Sequence, residues 1–290
     1  MLSPEADMCG TYDSCTLPAV TDLPERPVQL PLDPATALRP GHVPDALHAP
    51  DASWPTALAA PPAGALDLWL LRLPGPWLGA AALDETPLDG EERARADSFA
   101  HPFDRAGYVA AHLTLRRILG AYMGVAPGAV ELAREACPCC GGPHGRPAAP
   151  GGPSFSLARG DGLVLIGVAA APVGVAAERL PTVHTVTEAA RSLHPAEHHE
   201  VMAAPVVRRP AVHSRLRVRK RAYLKGLGAG LGRSPALDYV GNGGPDTPPW
   251  PTGWTIVDVP AGPSSAAAAV RGELTVRYDV RRLSPEGLAA

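Results

Sequence analysis

The 290-residue chain has no apolar run approaching the roughly 20 residues that cross a bilayer. Its first residues carry acids, with no basic segment and no apolar segment behind it, so a secretory leader is not expected. A cytoplasmic location and no membrane partner follow as expectations. Charge is scarce. Asp, Glu, Lys and Arg make up 19% of the residues and the net charge is −3. That balance argues against a general nucleic-acid binder. The five cysteines are an odd number and three of them cluster, which makes a disulfide framework a poor reading. Cys9 and Cys15 read as unpaired thiols.

What is present is apolar residues, at 46%, together with 35 prolines and 30 glycines. This supports a sizeable core, in one large domain or two ordinary ones. Residues 1–63 are rich in Pro, Ala, Asp and Thr, with no sustained period. They cannot bury enough apolar area to offset their ordering entropy, and read as a flexible extension.

The body starts with a strand, Leu66–Leu73, ended by Pro74 and Gly75. Asp89–Ala96 is rich in helix formers. Asp104–Met123 is the most regular helix, with Tyr108, Ala111, Leu115, Ile118, Leu119 and Tyr122 as a core stripe and Gly124 as its stop. His112 on it reads as structural. Ser154–Leu157 and Gly162–Ala170 read as strands around the turn Arg159–Gly162. Another strand runs from Val173 to Glu178. Thr187–His199 is expected to be largely helical, with Thr187 as a cap and Pro195 as a break.

A cationic helix then starts near Pro210 and ends among Gly226, Gly228, Gly230 and Gly232. Further strands are expected at Ala236–Val240, Trp254–Val259, Ala266–Val270 and Glu273–Tyr278, with a Pro/Gly loop over Gly241–Gly253. The class is α+β, in two runs that split near Ala171, giving halves at 64–170 and 171–290.

Three clusters invite chemical readings. Cys137-Pro-Cys-Cys-Gly-Gly-Pro-His144 has zinc-type ligands. A second Cys-x-x-Cys pair is missing, however, and a tight loop leading to Gly145-Arg146-Pro147 is the better reading. His184, His194, His198, His199 and His213 read as metal ligands, acid/base groups or a solvated face, the last preferred. Arg215, Arg217, Arg219, Lys220 and Arg221 read as a solvated face or as a docking patch for an acidic helix.

The order DLWLLRLP, EERARADSF, DRAGYVAAHLTLRRILG, CPCCGGPHGRP, PSFSLARG, APVGVAAERL and RKRAYLKGLGAGLG resembles the Sfp-type 4'-phosphopantetheinyl transferases from about Asp67 to Leu283. The resemblance implies two similar α+β halves related by a pseudo-twofold axis, with the active site between them. It implies transfer of phosphopantetheine from coenzyme A to a carrier-protein serine with Mg²⁺. The family's G-[VI]-D-x-E appears here as Gly174-Val175-Ala176-Ala177-Glu178. Its W-x-x-K-E-[AS]-x-x-K appears as Arg217 to Lys225, with Arg221 in place of the Glu and Lys220 and Lys225 retained. Its S-x-S-H-S turn begins at Ser156 and carries Arg159 in place of the His. Gly107 replaces an Arg, and Arg146 keeps the basic G-[KR]-P position.

Of the family's metal positions, Ala176, Glu178 and Arg221, only Glu178 keeps a carboxylate, so Mg²⁺ is not expected. Coenzyme A stays open as a ligand. Glu178, Arg221 and Lys225 are the candidate catalytic residues. Arg146, Arg159, Lys220 and Ser156 are the candidates for holding a phosphate or another anion. The first reading is a repurposed, metal-independent acid/base enzyme. It would act on a small-molecule or carrier-tethered intermediate of polyketide or peptide natural-product biosynthesis. An active transferase on acyl or peptidyl carrier proteins and a non-catalytic carrier-protein or coenzyme A binder are the alternatives. A monomer is expected.

Overall fold

The computed structural model describes residues 53–75, 83–244, 246–275 and 278–288. Most of the extension expected over 1–63, with Cys9 and Cys15, lies outside them. Residues 53–63 run without regular structure along the body. There Leu58 N donates to Ala121 O at 2.9 Å and Trp54 Nε1 to Ser284 O at 2.9 Å.

The described chain is mixed α and β. In order it forms β1 (Leu66–Arg72), α1 (Gly90–Asp97), α2 (Pro102–Met123), the short strands β2 (Ala133–Arg134) and β3 (Pro147–Ala148), then β4 (Ser154–Gly160), β5 (Leu163–Ala169) and β6 (Val173–Arg179). Helices α3 (Val183–Ala189), α4 (Pro195–Ala203) and α5 (Arg209–Leu227) follow, then β7 (Trp254–Asp258), β8 (Ser264–Arg271) and β9 (Asp279–Leu283).

One sheet has the order β4-β5-β1-β9 and another β6-β8-β7. In the first, β1 is antiparallel to β5 (Trp69 opposite Ile166) and parallel to β9 (Trp69 opposite Arg281). The apolar stretches Leu68–Leu71 of β1 and Leu163–Ala169 of β5 do not alternate with polar residues because both faces are buried there. Trp69, Leu71, Val164 and Ile166 pack with α2. Leu66, Leu68, Leu70 and Leu165 point the other way, onto Val173, Val175, Ala266 and Ala268 of the second sheet. That sheet's far face, Ala176, Ala267 and Ala269, meets Val218, Ala222 and Tyr223 of α5. The layers are therefore helix, sheet, sheet, helix. The small side chains of β8 let both neighbouring layers approach closely.

Local signals account for most boundaries. Asp89 caps α1 in a capping box with Glu92. Gly124 and Gly228 end α2 and α5 in the left-handed region, at φ +67° and +78°. Asp161 and Gly162, at φ +51° and +70°, make the two-residue turn between β4 and β5.

Five expectations need correction. Thr187 lies inside α3, whose cap position is Thr182. Pro195 opens α4 rather than breaking a helix, because His194 caps it and Glu197 completes a capping box. Gly226 lies inside α5, where the helix meets Gly174 and the Trp254 ring. Ala236–Val240 forms turns, its Val240 being buried against α5 without pairing. Of the strand expected at Glu273–Tyr278, residues 276–277 lie outside the described residues and the others are not in a strand; β9 begins at Asp279, beside β1, a partner remote in sequence that leaves no local signal. No described helix is long and apolar enough to cross a membrane.

Candidate functional site

The site grows from the contact between β6 and α5. A side chain on Gly174 would collide with the backbone of Ala222 and Gly226, so glycine there lets the helix lie directly on the strand. This places Glu178, near the end of β6, beside Ser214, Arg217 and Arg221. These three recur at i, i+3 and i+7 and so share one helix face.

Glu178 Oε1 accepts a hydrogen bond from Ser214 Oγ at 3.1 Å. Its Oε2 lies 3.4 Å from Arg217 Nε and 3.5 Å from Arg221 Nη1. The carboxylate side chain is only 12% exposed, whereas the two guanidiniums are 48% and 52% exposed. Sequence reasoning named Glu178 and Arg221 but missed Ser214 and the partnership of Arg217. The helical spacing of those residues was the available signal.

One turn on, Lys225 Nζ donates to Val175 O at 3.0 Å and to Leu157 O. Burial, with the Arg221 charge as a lesser cause, pushes its amine down to about 8. Ser156 Oγ accepts from Val175 N at 3.1 Å. The edge strands β4 and β6 are thus joined by Ser156 and Lys225 rather than by a ladder. Arg146 reaches the end of the same helix. Its Nη1 donates to Gly226 O at 2.9 Å and its Nε to Glu135 Oε2 at 3.0 Å. It borders a cleft of about 160 Å³ lined also by Glu135, Ser154, Phe155 and Val173.

The other expected residues lie elsewhere. Arg159 stacks over the rings of Phe99 and Tyr108, at 5.3 and 5.2 Å, and burial lowers its guanidinium from the ordinary value. With Asp104, Gly107 and Asp161 it lines a hollow of about 70 Å³ that contains none of the Glu178 group.

Lys220, expected to hold an anionic ligand, is 2% exposed and pairs at 2.8 Å with the fully buried Glu197. It also donates to Asp238 O. Glu197 accepts in addition from Val240 N at 2.7 Å and His194 N at 3.1 Å. The ammonium serves an internal ion pair, and burial pushes it down from the ordinary lysine range.

The cationic run is not one solvated face either. Arg219 is buried, with two bonds of 2.7 Å to Asp258, which also takes Arg215 at 2.9 Å. His213 is buried and lowered by that burial, and His194 is a cap, so the histidine cluster is neither one ligand set nor one solvated face. The side chain of His184 is outside the described residues. His112, read as structural, sits 2.7 Å from Glu92 and stacks on Tyr108.

Mg²⁺ takes oxygen ligands in near-octahedral geometry. The residues present do not fit it. Ala176 packs its methyl against α5. Arg221 brings a cation, and Glu178 is the one carboxylate of the group, facing two guanidiniums. The two half-exposed guanidiniums carry the charge and the forked donors that suit an anion.

No protein-family model matches the chain. It is 30% identical to the 4'-phosphopantetheinyl transferase HetI of Nostoc sp. (strain PCC 7120 / SAG 25.82 / UTEX 2576) over 219 residues, 71% of this chain and 87% of HetI. A likeness of that extent, over 71% of the chain, is more than a shared motif, and the chain belongs to the 4'-phosphopantetheinyl transferase family.

Proposed function

We propose that the Glu178 group binds a coenzyme A-type or carrier-tethered anionic ligand without Mg²⁺. We further propose that it performs acid–base chemistry on an intermediate of polyketide or peptide natural-product biosynthesis. The observation that carries this reading is the pair of guanidiniums 3.4 and 3.5 Å from one Glu178 oxygen.

Phosphoryl transfer depends on positioning and on neutralising charge. A guanidinium neutralises phosphate well but does not orient an attacking hydroxyl as a metal centre does. Glu178 is the group's proton acceptor, with Ser214 fixing one oxygen. Lys225, pushed down to about 8, stays mostly protonated at neutral pH and gives up its proton more readily than an ordinary lysine. The carrier protein is the partner class that the relationship to HetI supports. In this reading the two sheets, each covered by one long helix, are the pseudo-twofold halves of a monomer.

A second reading, an active transferase, is favoured by the likeness to HetI over 87% of that protein. The test is incubation with coenzyme A, Mg²⁺ and an apo carrier protein, read by intact mass. The expected result is no carrier modification under multiple-turnover conditions. Coenzyme A binding, followed by calorimetry, should persist in EDTA and weaken in Arg221→Ala. Multiple-turnover modification that is lost in Glu178→Gln would establish the second reading instead.

A further inference from the structure

The turn from Cys137 to His144 plays no part in the Glu178 group, yet its backbone is tightly specified. Cys137 N donates to Gly142 O at 2.7 Å, and Gly141 N donates to Cys137 O at 2.8 Å. Gly141 adopts φ +74°. A side chain on Gly142 would press on the His144 ring at 2.9 Å, and one on Gly145 would meet Glu135 O at 2.5 Å. These glycines let the loop close on itself.

The closure gathers three soft donors, with Cys137 buried and Cys140 and His144 exposed. One donor atom from each lies within 4.8 Å of the others, and Cys140 Sγ is 3.3 Å from His144 Nε2. Among the described residues this is the one such grouping. A tetrahedral zinc, with bonds of about 2.3 Å to sulfur and about 2.0 Å to nitrogen, holds its ligand atoms roughly 3.5–3.8 Å apart. A small side-chain adjustment reaches that geometry.

We propose that Cys137, Cys140 and His144 bind a zinc-type cation, with water as the fourth ligand. Two thiolates and a neutral imidazole balance the charge of a divalent ion, so the site needs no further acid. Thiolate ligands also select zinc over magnesium. Cys139 is disulfide-bonded and is not one of the ligands.

The ion has a structural consequence. The turn leads directly into Arg146, which pairs with Glu135 and donates to Gly226 O at the end of α5. Fixing the turn fixes the reach of Arg146 onto the helix that carries Arg217 and Arg221. The inference does not depend on the proposed reaction.

Metal analysis of the purified full-length protein tests it, together with titration of the demetallated protein with Co²⁺. About one zinc per chain is expected, and Co²⁺ should give thiolate-to-metal charge-transfer absorption. Both should disappear in Cys140→Ser and in His144→Ala, the latter keeping every thiol, and both should persist in Cys139→Ser. Demetallation should also speed amide exchange over residues 137–146.

Wild-type protein without zinc and without the cobalt–thiolate band overturns the proposal, whatever the variants do. Loss of the ion in Cys139→Ser overturns the ligand set. Unchanged exchange on demetallation overturns the ordering role.

Discussion

Lys220 and Lys225 lie on the same helix, roughly 140° apart around its axis, and do different work. Lys220 is sealed against Glu197, whereas Lys225 reaches two strand carbonyls. Removing one partner of a buried pair leaves an uncompensated charge. Lys220→Met should therefore destabilise the fold by about 3–5 kcal/mol, read from chemical denaturation. A loss below about 1 kcal/mol would mean that water reaches the pair. From sequence, both lysines were recognisable as family positions. Which of them is buried was not, because Glu197 belongs to another helix and also caps that helix at His194. For the same reason Ser214 stayed invisible as a partner of Glu178, although Glu178 itself stood out at the end of an apolar strand.

The critical relation between elements is the contact of α5 with β6. Gly174→Ala would drive a methyl into the backbone at Ala222 and Gly226, which no side-chain rotation relieves. It should cost about 3 kcal/mol or more, measured as a lowered denaturation midpoint. A near-neutral effect would show that the helix rides higher on the strand. Helices α2 and α5 and the hairpin at Asp161-Gly162 were legible because their signals are local: a periodic stripe, a terminal glycine, a turn dipeptide. Strand β9 was displaced in the reading because its pairing with β1 spans almost the whole body. The apolar residues at Ala236–Val240 looked like a strand, but Val240 packs against α5 and Leu237 faces solvent.

Across the whole molecule, Lys225 and Ser156 tie one sheet's edge to the other's. Folding holds the Lys225 amine at about 8, while the unfolded chain returns it to about 10.4. Between these values the unfolded state binds more protons, so this group makes stability rise with pH through that window. Below about 8 both states are protonated and the contribution is flat. The gain by about pH 9.5 should be about 1–2 kcal/mol, below the full linkage value because only part of the window between the two values has been crossed. Tyr223 and Tyr239, raised to about 12, act with the opposite sign above about pH 10. Denaturation of wild type and Lys225→Met at about pH 7.5 and about pH 9.5 isolates the lysine. The wild type should gain on the variant at the higher pH, and an unchanged difference would refute the buried amine.

The parallel pairing of β9 with β1 carries its own consequence. It threads late chain into the first sheet, so the polypeptide closes like a clasp. A cut between β5 and β6 would divide the first sheet and leave the second intact. The first piece would keep β1 with a bare row of backbone donors and acceptors, an adhesive edge open to any passing strand. The second would carry β9 with no sheet to join. The two pieces should therefore recover native structure only when mixed, with β9 acting as the latch.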